Sequence, residues 1–546
     1  MTMQMPAAKA ARRSACGAVL AILAAIAAVP EGARAEAPLS ANDWLAGSGT
    51  VPRNLSSWRP GDPIPEDAQR LRPDIGAARP PPRPGNAAEA IADSAAAVPV
   101  GVSRLDGTNP DALGIISARQ AAVPLDLWEG LDTAQAARLL AAETPRIPAA
   151  ARLFRRVIEA QLNPPAPAEG EAAQGSFFLA RVDRLLDLGA LPIARDMLNA
   201  AGPGGQDRFA RVFAVALLLG DEANACRLMD EAPGIARDFP ARIFCLAVKG
   251  DWPAASLTYQ GAGALGLLDP MYTDLLTDFL DDSSADDGTL REPPPAPSPL
   301  IFRLHEAIGQ PLPTAHLPLA FAWSELRVNA GWKAQLDAAE RLARADALAP
   351  PTLHRLYTAQ RPAASGSVWE RAAAIQALDA ALLTDDPARI GPALRVAHRQ
   401  LDAAGLRDSF ARIYAEQLDP ADLSGEAARL ALWLRLWAGV TELRAAPEAE
   451  IDLALLALAS GESPEAIGAE LTALGPIFAE SPAPAEPARA APLFEAIRDA
   501  DAAVDGDLAR AARGIAALRE MGLWADARRI ATQIALDPLL SEAAHD

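Results

Sequence analysis

Beyond about residue 125 the apolar positions of this chain recur at helical rather than strand spacing. LDTAQAARLLAAE (131–143) begins at a plausible Asp132 or Thr133 cap and continues in good helix formers. ARLFRRVIEAQL (151–162) repeats apolar residues along one face, with Leu153, Val157 and Leu162 among them. NPPAPAEGEAAQG (163–175) breaks the pattern. Three stretches then share one form: LLDLGALPIARDML (185–198), LLLGDEANACRLM (217–229) and LAVKGDWPAASLTY (246–259). Each is an apolar run, a glycine, an alanine five residues later and a second apolar run. The glycines are Gly189, Gly220 and Gly250, and the alanines Ala194, Ala225 and Ala255. The glycines lie 31 and 30 residues apart, a self-similarity that predicts stacked helical hairpins.

DDSSADDGTLREPPPAPSP (281–299) interrupts this texture, and a second helical block follows from 300 to 546. Gly461 and Ala466 restore the motif in LASGESPEAIGAEL (458–471), and Gly522 and Ala527 in LREMGLWADARRIATQIALDP (518–538). ARLALWLRLWAGV (428–440) is apolar nearly all round, which predicts a buried helix with Trp433 and Trp437 in the core. The motif has a simple physical basis. A glycine in the left-handed region closes one helix, and a small residue near the start of the next lets the pair approach. In Gly250-Asp251-Trp252-Pro253-Ala254-Ala255 and Gly522-Leu523-Trp524-Ala525-Asp526-Ala527 the form resembles the G-D-Y-x-E-A turn of tetratricopeptide repeats. Pro538 falls near the proline that ends such repeats, whereas the period is shorter than theirs and the earlier Trp and Leu-Gly positions are missing. The resemblance covers about five hairpins. It implies an all-α solenoid with a binding or scaffolding role, and no particular ligand residue.

Composition adds a compartment. Lys9, Arg12 and Arg13 precede an apolar run (15–29), and Ala33-Arg34-Ala35 completes an export signal cleaved after Ala35, which predicts a periplasmic protein in a Gram-negative bacterium. Residues 36–124 are rich in proline, glycine and alanine, and read as a mostly disordered leader whose Trp44 and Trp58 are candidate binding elements. The organisation expected is thus signal 1–35, leader 36–124, helical block 125–280, acidic proline-rich loop 281–299 and helical block 300–546. The chain carries a net charge of −20, or about −23 once residues 1–35, with four basic residues and one acidic, are removed. That charge argues against a nucleic-acid partner. No later segment predicts a membrane span.

Candidate chemistry is sparse. Cys226 and Cys245 stand nearly level on either side of a turn near Gly234, so they form either a structural disulfide, closing 19 residues, or two buried thiols. GALGLLDPMYT (263–273) resembles the G-A-x-G-L-M-Q stretch of soluble lytic transglycosylases, but the upstream glutamate acid those enzymes need is absent, and a turn before a helix at 271–280 is expected instead. His305, His316, His354, His398 and His545 never pair at metal-ligand spacing, and His305 reads as an ordinary helix residue. Asp281, Asp282, Asp286 and Asp287 read as a solvated loop. No cofactor or metal is expected. The reading is a non-catalytic exported adaptor that binds a protein partner in the cell envelope. The alternatives are a peptidoglycan-associated enzyme or its superhelical arm, and an accessory of a motility or secretion machine.

Overall fold

A computed structural model describes residues 109–169, 175–202, 204–236, 238–281, 290–462 and 487–545. The signal, Trp44 and Trp58, Ala466 and the acidic residues Asp282, Asp286 and Asp287 lie outside the described residues. Among those described, the chain is almost entirely helical, with one parallel pair of two-residue strands, β1 (Ile116–Ser117) and β2 (Ala160–Gln161). The helices are α1 (Ala118–Ala121), α2 (Thr133–Ala142), α3 (Pro148–Glu159), α4 (Ser176–Asp187), α5 (Leu191–Ala201), α6 (Gln206–Leu219) and α7 (Glu222–Glu231). There follow α8 (Phe239–Val248), α9 (Trp252–Ala264), α10 (Pro270–Leu280), α11 (Pro299–Ala307), α12 (Trp332–Arg344), α13 (Pro350–Thr358) and α14 (Val368–Leu382). The last are α15 (Pro387–Asp402), α16 (Arg407–Tyr414), α17 (Gly425–Ala438), α18 (Glu450–Ser460), α19 (Ala490–Asp501), α20 (Leu508–Glu520) and α21 (Trp524–His545). Local signals set many of the boundaries. Asp132 starts α2 by a reciprocal capping box with Gln135, the Gln135 N–H donating to Asp132 Oδ1 at 2.7 Å.

Three boundaries differ from those the sequence suggests. Residues 109–124, assigned above to the leader, are part of the folded body. Ala121 is fully buried, Asn109 and Ser117 cap short helices, and the buried Arg181 guanidinium donates to the Leu113 carbonyl at 2.5 Å. The apolar periodicity that marks longer helices is absent here, because α1 spans a single turn. Pro538 does not end a helix. α21 continues through it to His545, and Leu540 and Ala544 beyond it are buried. This packing outweighs the roughly 3 kcal/mol cost of an interior proline.

The third difference concerns the units of packing. The blocks 125–280 and 300–546 do not each own a core. One core gathers Leu127, Phe154 and Leu185 with Leu342, Phe410, Phe494 and Ile530. A second lies within residues 209–304, where Phe213, Phe244, Leu276 and Leu304 meet. α11 therefore belongs with α6 and α10, on the far side of the proline-rich loop. The chain makes an excursion over α6–α11, forms a lobe, and returns. Leu191, Leu218, Phe302 and Phe321 fill the joint between lobe and body.

Many consecutive helices pack on one another, as in a helical repeat array, but the body also joins early and late helices of the described residues. α21 packs on α3, α15, α17, α18 and α20. The first turn of α3 has no cap of its own. Asp501 Oδ1 accepts from the Arg146 and Ile147 N–H groups (2.7 and 2.8 Å), and Gln533 Oε1 from Ala149 N–H at 2.8 Å. Orphan donors near the start of the fold are thus satisfied from its end. Arg156 pairs with Asp526 at 2.7 Å and Arg489 with Asp126 at 2.7 Å across the same seam.

Candidate functional site: an uncharged helical face

The five motif glycines adopt the left-handed conformation, with φ of +71° (Gly189), +78° (Gly220), +86° (Gly250), +78° (Gly461) and +82° (Gly522). Each is followed by a residue whose N–H reaches back five positions, such as Asp251 to the Leu246 carbonyl at 3.0 Å and Leu523 to Leu518 at 2.9 Å. Ala194, Ala225, Ala255 and Ala527 are fully buried in the returning helices. Asp346, Gly405 and Gly439 close α12, α15 and α17 in the same way. The sequence motif does not mark these three: Asp346 is not a glycine, and no alanine lies five residues after Gly405 or Gly439.

Cys226 on α7 and Cys245 on α8 are joined as a disulfide with Cα atoms 5.3 Å apart, inside the lobe core. α9 lies on the outside of α8. Asp251 caps it, its Oδ1 accepting from Ala254 N–H at 3.2 Å, and Gly266 (φ +65°) closes the turn that follows. Only Ala255 and Ala262 of this helix are buried, both small enough to let α9 sit close against α8. Tyr259 ties it to α10 through a 2.7 Å hydrogen bond with Thr277.

The outward face is unusual for such an acidic chain. From Trp252 to Leu268 no residue is charged. Leu257 and Leu265 are each 72% exposed, and Val248, Trp252 and Leu267 are exposed beside them. Leu257, Gly261 and Leu265 fall at i, i+4 and i+8, one stripe along the helix. A Cβ on Gly261 would meet nothing within 4 Å, so the stripe presents two leucines flanking an open notch. Covering each leucine is worth roughly 1–2 kcal/mol. The string resembling a transglycosylase motif is this helix end and the start of α10, where Asp269 Oδ1 accepts from Met271 N–H at 2.9 Å.

A cleft of about 430 Å³ elsewhere is lined by residues that include His354, Asp379, Asp385, Asp419 and Asp422. The sequence gives no hint of these converging carboxylates, which come from separate helical hairpins. Asp379, Asp419 and Asp422 have internal partners. Asp379 accepts from Tyr414 Oη at 2.6 Å and meets His354 Nε2 at 2.9 Å, and Arg444 bonds both Asp419 and Asp422. Burial is the largest single influence on Asp419 and would raise its pKa, but the Arg444 hydrogen bond, the Ala421 N–H and the nearby guanidinium charges together outweigh it, so this carboxyl is held below its usual range. A glycosidic general acid needs the opposite shift. Of the other histidines, His305 is a buried residue of α11, His398 is buried in α15, and His316 and His545 are exposed. The described residues hold no group of three or more His, Cys, Asp or Glu able to bind a metal, and no helix among them is long and apolar enough to cross a membrane.

Comparison with known proteins leaves the chain on its own: no family model, no curated protein and no solved structure matches it.

Proposed function

We propose that this chain is an exported, non-catalytic adaptor of the bacterial cell envelope that binds a protein partner through the outward face of α9. The helices are read as tetratricopeptide-like hairpins, with the lobe as the presenting element and the disulfide as the brace that suits it to an oxidising periplasm. The observation that carries this reading is the charge-free stripe Leu257–Gly261–Leu265, on a chain of net charge −20. An apolar helix laid along such a stripe gains burial without desolvating a charge.

The test is cross-linking in intact cells of the tagged mature chain, with mass spectrometry of what is captured. Leu257→Glu/Leu265→Glu is compared with Val328→Glu, which alters a fully exposed apolar residue elsewhere. The proposal expects one discrete protein captured by the parent and by Val328→Glu, and lost in the double variant. Equal capture by all three would remove α9 from the interface, and capture of nothing by the parent would defeat the adaptor reading.

A further inference from the structure

A cavity of about 240 Å³ lies where the ends of α17 and α18 meet the first turns of α21. Its wall includes Thr441, Ser460, Ala525, Arg528, Arg529 and Thr532. Arg529 donates to the Ala438 carbonyl at 2.8 Å and Arg528 to the Ser460 carbonyl at 2.6 Å, so each guanidinium crosses a helix C-terminus. Glycines make this approach possible, because a Cβ on Gly439 or Gly461 would overlap the arginine lying over it.

Two features are left over once this capping is accounted for. Each guanidinium has further N–H donors and no carboxylate partner among the described residues. Asp526 and Asp408, the acids whose charge acts on Arg529, are already engaged by Arg156 (2.7 Å) and Arg152 (2.8 Å). Thr532 is only 2% exposed, yet its hydroxyl has no hydrogen-bond partner. A threonine inside a helix ordinarily returns its hydroxyl to a carbonyl of the preceding turn, and leaving one buried and unpaired costs about 1–3 kcal/mol. The charge balance also favours an anion. Each helix C-terminus contributes about −0.5 and the start of α21 about +0.5, which leaves the two guanidiniums with about +1.5 in excess.

We propose that this cavity binds a small oxyanion of phosphate chemistry. The free N–H groups of Arg528 and Arg529 would donate to its oxygens, and the Thr532 hydroxyl would supply a further donor. Arginine forks suit a tetrahedral oxyanion, and the volume accommodates one with a small substituent.

The test is calorimetric titration of the full mature chain with inorganic phosphate at constant ionic strength, chloride being the control anion. Thr532→Val keeps the shape and removes only the hydroxyl. Arg529→Met removes a charge, and its fold is checked by circular dichroism. The expected result is saturable 1:1 binding, weakened severalfold by Thr532→Val and about tenfold or more by Arg529→Met. Glycerol 3-phosphate, run in parallel, distinguishes a free ion from a phosphomonoester group: equal affinity assigns the site to the ester, and binding of phosphate alone to the ion. No saturable heat with either ligand, or binding that Thr532→Val leaves unchanged, would overturn the proposal.

Discussion

Arginine carries much of the structural work at the scale of single residues. The chain has only three lysines, Lys9, Lys249 and Lys333, and its guanidiniums repeatedly settle on carbonyls at helix ends, as Arg344 does on Ala404 at 2.6 Å. Arg181 is the extreme case. It is buried, donates to the carbonyls of Ile158 (2.8 Å), Ala160 (2.7 Å) and Leu113 (2.5 Å), and burial pushes its pKa down to about 10. Arg181→Met keeps the stem and strands those carbonyls, so chemical denaturation should show a loss on the order of 3 kcal/mol; a loss within about 0.5 kcal/mol would refute this role. The turns make a second residue-scale prediction. Gly250 has open space around it but a φ of +86°. Gly250→Val should therefore cost about 1–2 kcal/mol through the backbone alone, against a few tenths for Gly331→Ala, whose φ is −65°. Equal melting temperatures would contradict the left-handed assignment. The glycines were legible in the sequence because the turn demands them. The arginines were not, since a guanidinium's target is set by tertiary packing, and a chain with so few lysines gives no contrast between a capping arginine and a solvated one.

At the scale of elements, the lobe depends on a single covalent link. Cys226 and Cys245 close a separation of 19 residues between α7 and α8, for which the chain-entropy estimate is roughly 3 kcal/mol. Removing both cysteines should loosen α6–α11 before the body, since the lobe has its own core. Limited proteolysis of the Cys226→Ala/Cys245→Ala variant should give first cuts within 206–307. First cuts in the body would show that the bond does not hold the lobe. The cysteines were visible in the sequence through their equal distance from the turn near Gly234. The exposure of α9 was not, because WPAASLTYQGAGA has the composition of a buried helix and its solvent face emerges only from its position outside α8.

On the scale of the whole molecule, the sequence shows the helical hairpins but not how they close. Asp501 and Gln533 cap a helix more than 350 residues away, and nothing local marks either as a capping residue. The proline-rich loop looks like a domain boundary, yet α11 beyond it completes the lobe core. Two buried histidines give the folded chain a pH dependence. Burial lowers the pKa of His305, and that of His398, whose Nε2 lies 2.9 Å from the Leu540 carbonyl and which faces Asp402 and Arg407. A base with a lowered folded pKa binds fewer protons folded than unfolded, so its contribution to stability falls as pH drops below about 6.5. Denaturation midpoints should decline between about pH 7.5 and 5.5, and His305→Gln/His398→Gln should flatten that slope. An unchanged slope would assign the effect to other groups.

On the function proposed, the uncharged face of α9 is where the protein meets its partner. Hydrogen exchange read by mass spectrometry, on the mature chain alone and in its purified complex, tests it most directly. New protection should concentrate in peptides covering residues 248–267, with the seam between α3 and α21 unchanged. Protection confined to residues 36–124, or spread over the body with α9 still exchanging freely, would contradict it.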